Sequence, residues 1–267
     1  MGRLVKLFNS LTEYNEYLNN GKDTDGMSAR DGSHSSYDPS WFGTKDYADA
    51  ENRMMNGDDE SAKKIEIGGN GQSVYKNVHS TVAKPKLVRG RAGFMPSVAA
   101  YCAGSSRCMY KSKKQIVKSK TTTIVYNISA LGGVSSTEIA RAAYNMLKAV
   151  LKIEASGVRV NFYISTLAEI GHKKFGSVVK IKDSGQYFNF LKMAYPMVHP
   201  SMQRRQGFRF REITEGISGY GATIKDVQEL KEVVESNTPI KDATYLGFYA
   251  IRRCVDENEI LNRFFNK

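Results

Sequence analysis

Two strand-like runs separated by one unbroken amphipathic stretch constrain this chain more than any other feature. Thr121 to Ser129 is apolar, β-branched and of strand length, and Ile124, Val125 and Ile128 give it the character of a buried central strand. Ser135-Ser136-Thr137-Glu138 contains a capping box, and apolar residues at 139, 142, 143, 146, 147, 150 and 151 then form one continuous helix face. Gly157 closes that helix, and Val158, Val160, Phe162 and Ile164 alternate along a second strand. Strand, helix and strand in this order fold as a right-handed crossover between parallel strands.

Further elements follow the same alternation. Ser177 to Lys182 reads as a third strand, Gly185 to Met197 as a helix stopped near Pro196 and Pro200, and Ile224 to Glu235 as another helix. Ala243 to Ala250 is strand-like, and Asp256 to Phe265 opens on an Asp-x-x-Glu cap and reads as a helix. The expected class is α/β: an open, mainly parallel sheet flanked by helices over residues 117–267, with an irregular α+β N-terminal extension. Residues 1–66 form an acidic, partly helical segment with amphipathic spacing from Leu4 to Leu18, a loop from Lys22 to Ser40 and a short helix from Asp46 to Asn56 ended by Gly57. Residues 67–116 form a basic segment whose glycines break it into loops and small strands.

Charge is divided unevenly. Residues 1–66 carry 13 acidic and 8 basic side chains, and the remainder carries 14 acidic and 31 basic, within a formal net charge of +12. A basic surplus of this size points to a polyanionic partner. Lys84 to Lys120 holds ten basic residues and no acidic one in 37 positions: Lys84, Lys86, Arg89, Arg91, Arg107, Lys111, Lys113, Lys114, Lys118 and Lys120. Phe94, Tyr101 and Tyr110 are interleaved with them and offer flat faces on which unpaired bases can stack. A second group, Arg204, Arg205, Arg209 and Arg211, encloses Phe208 and Phe210. If extended, this segment sets guanidinium groups for phosphate on one face and rings for the core on the other. The same chemistry suits RNA as well as DNA.

No catalytic constellation accompanies these signals. His34, His79, His172 and His199 are scattered, and no nucleophile elbow, P-loop or dinucleotide fingerprint occurs, so the chain reads as non-enzymatic and without a cofactor. Cys102, Cys108 and Cys254 are an odd set, which argues against a disulfide framework, and the step from Cys102 to Cys108 does not fit a zinc site with His79. The N-terminus lacks the apolar core of a signal peptide, no run reaches membrane-span length, and Lys6 stands where a myristoylation signal wants Ser or Thr; a cytoplasmic location is expected.

The turn after the first strong strand, Asn127-Ile128-Ser129-Ala130-Leu131, lies where α/β folds bind ligands. Here the chain resembles a von Willebrand factor A domain, whose first strand ends in Asp-x-Ser-x-Ser and helps hold a divalent cation. Asn127 replaces the Asp, Ser129 is retained, and Leu131 replaces the second Ser, so the resemblance implies a degenerate motif with no metal bound. Ser40-Trp41-Phe42-Gly43-Thr44, a short helix and Gly57 extend the likeness to phage-encoded proteins with degenerate modules of this type. Overall size, charge and layout are similar to the single-stranded-DNA-binding transcription accessory proteins of podoviruses that encode a heterodimeric RNA polymerase. That resemblance implies single-stranded DNA and a phage RNA polymerase as partners, in the host cytoplasm. An RNA-binding protein of the Ro type and a virion or assembly protein contacting packaged DNA are the competing expectations.

Overall fold

A computed structural model describes residues 4–22, 39–68, 86–113, 120–186, 189–214 and 221–265. In chain order the elements are β1 (Val5–Phe8), α1 (Leu11–Asn20), α2 (Pro39–Phe42), α3 (Tyr47–Asn56), α4 (Asp59–Gly68), β2 (Lys86–Gly90), β3 (Met95–Pro96), α5 (Val98–Cys102) and β4 (Met109–Lys113). They continue as β5 (Thr121–Asn127), α6 (Ser136–Ala155), β6 (Arg159–Ser165), β7 (Ala168–Ile170), β8 (Lys173–Lys182) and α7 (Phe190–Val198). A π-helical stretch, Met202–Gly207, runs into α8 (Phe208–Glu212), and β9 (Ala222–Thr223), α9 (Val227–Asn237), β10 (Thr244–Gly247), α10 (Phe248–Arg252) and α11 (Glu257–Phe264) complete the described chain. Two compact units result, Met1–Val74 with Thr121–Lys267, and Tyr75–Lys120.

The larger unit is mixed α/β. Its sheet runs β10-β5-β6-β8-β7-β9, with β1 also paired to β8. As the strand–helix–strand pattern predicts, α6 connects parallel β5 and β6, and the Ser135 side chain accepts from the Glu138 N–H to cap the helix. Alternate residues feed two apolar layers: Ile124, Tyr126, Phe162 and Ile164 pack with the Ala142–Val150 face of α6, while Val125 and Tyr163 pack with Leu230, Val233 and Val234 of α9. Helices therefore cover both faces of the sheet.

The expectations need correction at several points. Pro196 lies inside α7 rather than ending it, and the strand expected over Ala243 to Ala250 stops at Gly247, where α10 follows. The sheet is mixed rather than mainly parallel, because β8 turns back through a two-residue hairpin at Gly171-His172 and lies antiparallel to both β7 and β6. Gly171 has φ +58, the conformation such a tight turn demands. The N-terminal residues are also more than an irregular extension. Val5–Phe8 is a strand, parallel to β8, where helical spacing from Leu4 to Leu18 was expected. The helix starts only after Ser10, whose hydroxyl accepts from Glu13 N–H while the Glu13 carboxylate accepts from Asn9 N–H. Phe8, Tyr14, Tyr17 and Phe210 then pack as a ring cluster that ties this segment to α8. Asp46 caps α3 and Gly57, at φ +98, ends it as expected. Among the described residues no helix is long and apolar enough to cross a membrane.

Candidate nucleic-acid interface

Tyr75–Lys120 contains 11 of the chain's 39 Lys and Arg residues and none of its 27 Asp and Glu residues, which leaves 28 basic and 27 acidic residues elsewhere. Nearly all of the +12 net charge therefore belongs to this one small unit. Its described part is a three-stranded antiparallel sheet in the order β2-β4-β3, with α5 after β3. Phe94 N–H donates to Tyr110 C=O at 2.9 Å and Ser97 N–H to Cys108 C=O at 2.6 Å, which fastens β3 and the start of α5 to β4. Gly93 is required for this approach: a Cβ there would lie 2.1 Å from the Tyr110 carbonyl oxygen.

Of the described candidates in this unit, Lys86, Arg89, Tyr110, Lys111 and Lys113 lie on its strands. Arg89, Arg91, Arg107, Lys111 and Lys120 are exposed, and Tyr110 is half-buried. Phe94 and Tyr101 are 67% and 73% exposed, so their rings are open to a stacking partner rather than part of a core. Arg89 lies 5.9 Å over the Tyr110 ring. Hydrogen bonds from Ser97 and Arg89, together with the Arg89 charge, hold the Tyr110 phenol below the ordinary tyrosine value. The backbones of Lys86 and Lys113 pair across β2 and β4. Lys84, Lys114 and Lys118 lie outside the described residues. Leu87, Met95 and Val98 are exposed as well, which the sequence reading missed. Apolar residues alternating between glycines look like core until the sheet proves too small to cover them.

The second arginine group is placed differently. Met202–Gly207 and α8 are helical, not extended, and Arg204, Arg205, Arg209 and Arg211 are all buried. Arg204 donates to Trp41 C=O at 2.5 Å and Gly132 C=O at 3.2 Å, and its guanidinium lies 4.3 Å over the Trp41 ring. Arg205 donates to the Thr44 hydroxyl and to the Thr44 and Lys45 carbonyls. Arg209 donates to Leu18 C=O and Gly21 C=O at the C-terminal end of α1, with Glu212 at 3.9 Å. Arg211 lies between the Phe175 and Phe208 rings, at 5.5 and 5.2 Å. Desolvation lowers the proton affinity of Arg204, Arg205 and Arg209. Of the carbonyls they cover, those of Leu18 and Trp41 lie in the last turns of α1 and α2, which a helix end leaves without internal partners. These cations fasten the N-terminal helices to the core, and their donors face inward instead of toward phosphate.

At the strand ends, the Asn127 amide donates to Ile224 C=O at 3.3 Å, and its oxygen accepts from the backbone N–H of Ser129 and Leu167. Asn127 thereby staples β5, the turn after β6 and the residue following β9. Ser129 is buried beside it, Leu131 is exposed, and Leu131 N–H donates to the Tyr249 hydroxyl at 2.9 Å. Among the described residues no three His, Cys, Asp or Glu side chains assemble as a metal-ligand group.

Neither a curated protein nor a solved structure matches the sequence. One family model does match, over residues 2–266, and by that near-complete span the chain belongs to the family described as a domain of unknown function, DUF7192.

Proposed function

We propose that the protein is a non-enzymatic single-stranded-DNA-binding protein whose binding module is the Tyr75–Lys120 unit. The observation that carries this reading is the concentration of 11 cations and no carboxylate in a unit that also exposes Phe94 and Tyr101. Cations neutralise phosphates whatever the sequence, and open rings distinguish unpaired bases from a duplex, whose bases are already stacked. The buried Arg204–Arg211 group has no part in this interface. In the same proposal the larger unit is a degenerate von Willebrand factor A-like module, supported by the parallel β10-β5-β6 core and the Asn127-x-Ser129 turn. The acidic residues 1–66 are then the side that meets a phage RNA polymerase, making the protein a transcription accessory factor, as the podoviral resemblance implies.

Fluorescence anisotropy with labelled single-stranded DNA, RNA and duplex DNA tests the binding reading. Single strands should bind more tightly than duplex of equal length. Replacing both Phe94 and Tyr101 with Ala should weaken single-strand binding by about tenfold or more, since each base–ring stack contributes about 1 to 3 kcal/mol. Equal affinity for duplex and single strand, unchanged in the double variant, would rule out ring stacking. A strong preference for RNA would favour the Ro-like alternative.

A further inference from the structure

We infer that the Tyr75–Lys120 unit holds two single-stranded segments at once, one on each face of its sheet, and so bridges strands. This rests on the reading of that unit as a single-strand-binding module. In an antiparallel ladder directly opposed residues share a face, and successive residues alternate. The register pairs Leu87 with Ser112, Arg89 with Tyr110 and Met95 with Tyr110, so these five positions form one face. Val88 with Lys111, Gly90 with Met109 and Pro96 with Met109 form the other. Side-chain geometry agrees on both counts. Arg89 lies over the Tyr110 ring on the first face, whereas a Cβ at Gly90 would meet Lys111 Cδ and Cε at 3.2 Å on the second.

A sheet in a globular protein normally seals at least one face. Here the first face leaves Leu87, Arg89, Met95 and Ser112 exposed; the second buries Gly90 and half-buries Val88 and Met109, but leaves Lys111 and Pro96 exposed. The faces also differ in chemistry. The first combines an aromatic ring, a guanidinium and apolar side chains, a surface for bases; the second presents an ammonium along a largely aliphatic floor, a surface for phosphate. Because they point in opposite directions, a short strand lying on one cannot reach the other without passing round the sheet edge. With no carboxylate anywhere in the unit, neither face repels a polyanion, and the protein layer keeps the two strands apart.

The test uses the full chain and oligothymidylate of roughly eight nucleotides, within the usual footprint of one small binding module. One population carries a donor dye and a second an acceptor. Saturation should occur at two oligonucleotides per chain, with protein-dependent energy transfer in complexes that sediment as a single chain. Lys111→Gln should bind with weakened affinity, saturate at one oligonucleotide per chain and lose the energy transfer, and Lys111→Arg should restore all three. Saturation at one oligonucleotide in the unaltered protein overturns bridging while leaving single-strand binding intact. Energy transfer confined to complexes of two chains, or persisting undiminished in Lys111→Gln, also overturns it. If the oligonucleotide does not bind at all, the reading of the unit itself fails.

Discussion

Arg89 and Arg209 are the same residue type in opposite surroundings, one exposed and one buried, and those surroundings give opposite predictions. Arg209 is about 1% exposed, and its guanidinium holds two carbonyls at the end of α1 beside the buried Glu212. Arg209→Ala leaves those groups desolvated without their cation, so urea denaturation should show a loss of about 3 to 5 kcal/mol. Arg89→Ala removes an exposed side chain, so stability should stay within about 0.5 kcal/mol while oligonucleotide affinity falls. Tyr110 gives a third residue-scale outcome. Ser97 and Arg89 stabilise its phenolate, so its proton leaves at a lower pH than from an ordinary tyrosine. Ionisation places a negative charge on the phenolate oxygen beside Arg89 and draws Arg89 away from phosphate. Binding should therefore hold at neutral pH and decline as pH rises through the lowered Tyr110 value, below the ordinary 10.0. Tyr110→Phe, which has no proton to lose, should flatten that decline, as binding measured across an alkaline pH series will report.

At the level of elements, periodicity made legible what it physically encodes and no more. β5, α6 and β6 emerge near their predicted bounds because each carries a full period of apolar residues and its own cap or stop. The direction of β8 was not legible, since alternation shows which residues face the core but not which way the strand runs. The brief Gly171-His172 turn decides that. β1 was hidden because residues 4, 7 and 8 fit helical spacing by coincidence, although the Ser10-x-x-Glu13 cap marks the true helix start. The Arg–Phe alternation misled for a similar reason. Within a helix buried all round, Arg205 and Arg209 stand one turn apart, as do Gln206 and Phe210, and a period of two loses its meaning. The basic unit was legible as charge and aromatic content but not as a two-faced sheet. Its strands are too short to carry a pattern, and Gly93 reveals its role only against the Tyr110 carbonyl. Gly93→Val should therefore detach β3 from β4. Hydrogen exchange should speed up at the Phe94 amide, while β5 and β6 amides in the larger unit keep their protection.

For the whole molecule, the decisive feature is that charge and fold are partitioned between different parts of the chain. The large unit holds the sheet, both apolar layers and a nearly balanced 28 basic against 27 acidic residues, while Tyr75–Lys120 holds 11 cations and no carboxylate. Balanced charge lets the large unit pack without self-repulsion; an unbalanced unit meets no such requirement if it is small, exposed and built to meet a polyanion. Salt should consequently act on binding and leave folding almost untouched. Each phosphate neutralised on a single strand releases condensed counterions, with a slope of log K against log salt of about −0.7 per contact. Five exposed cations are described in the unit: Arg89, Arg91, Arg107, Lys111 and Lys120. If each meets one phosphate, the slope should be about −3 to −4, and steeper if the lysines outside the described residues add contacts. Changing Arg89 and Lys111 together to Gln should make it shallower by about 1.4, while the thermal midpoint of the large unit stays constant across the same salt range. Filter binding over a salt series, beside calorimetry in the same buffers, measures both. A slope near zero, or one that the double variant leaves unaltered, would place the nucleic-acid contact away from this unit and detach the charge asymmetry from the proposed function.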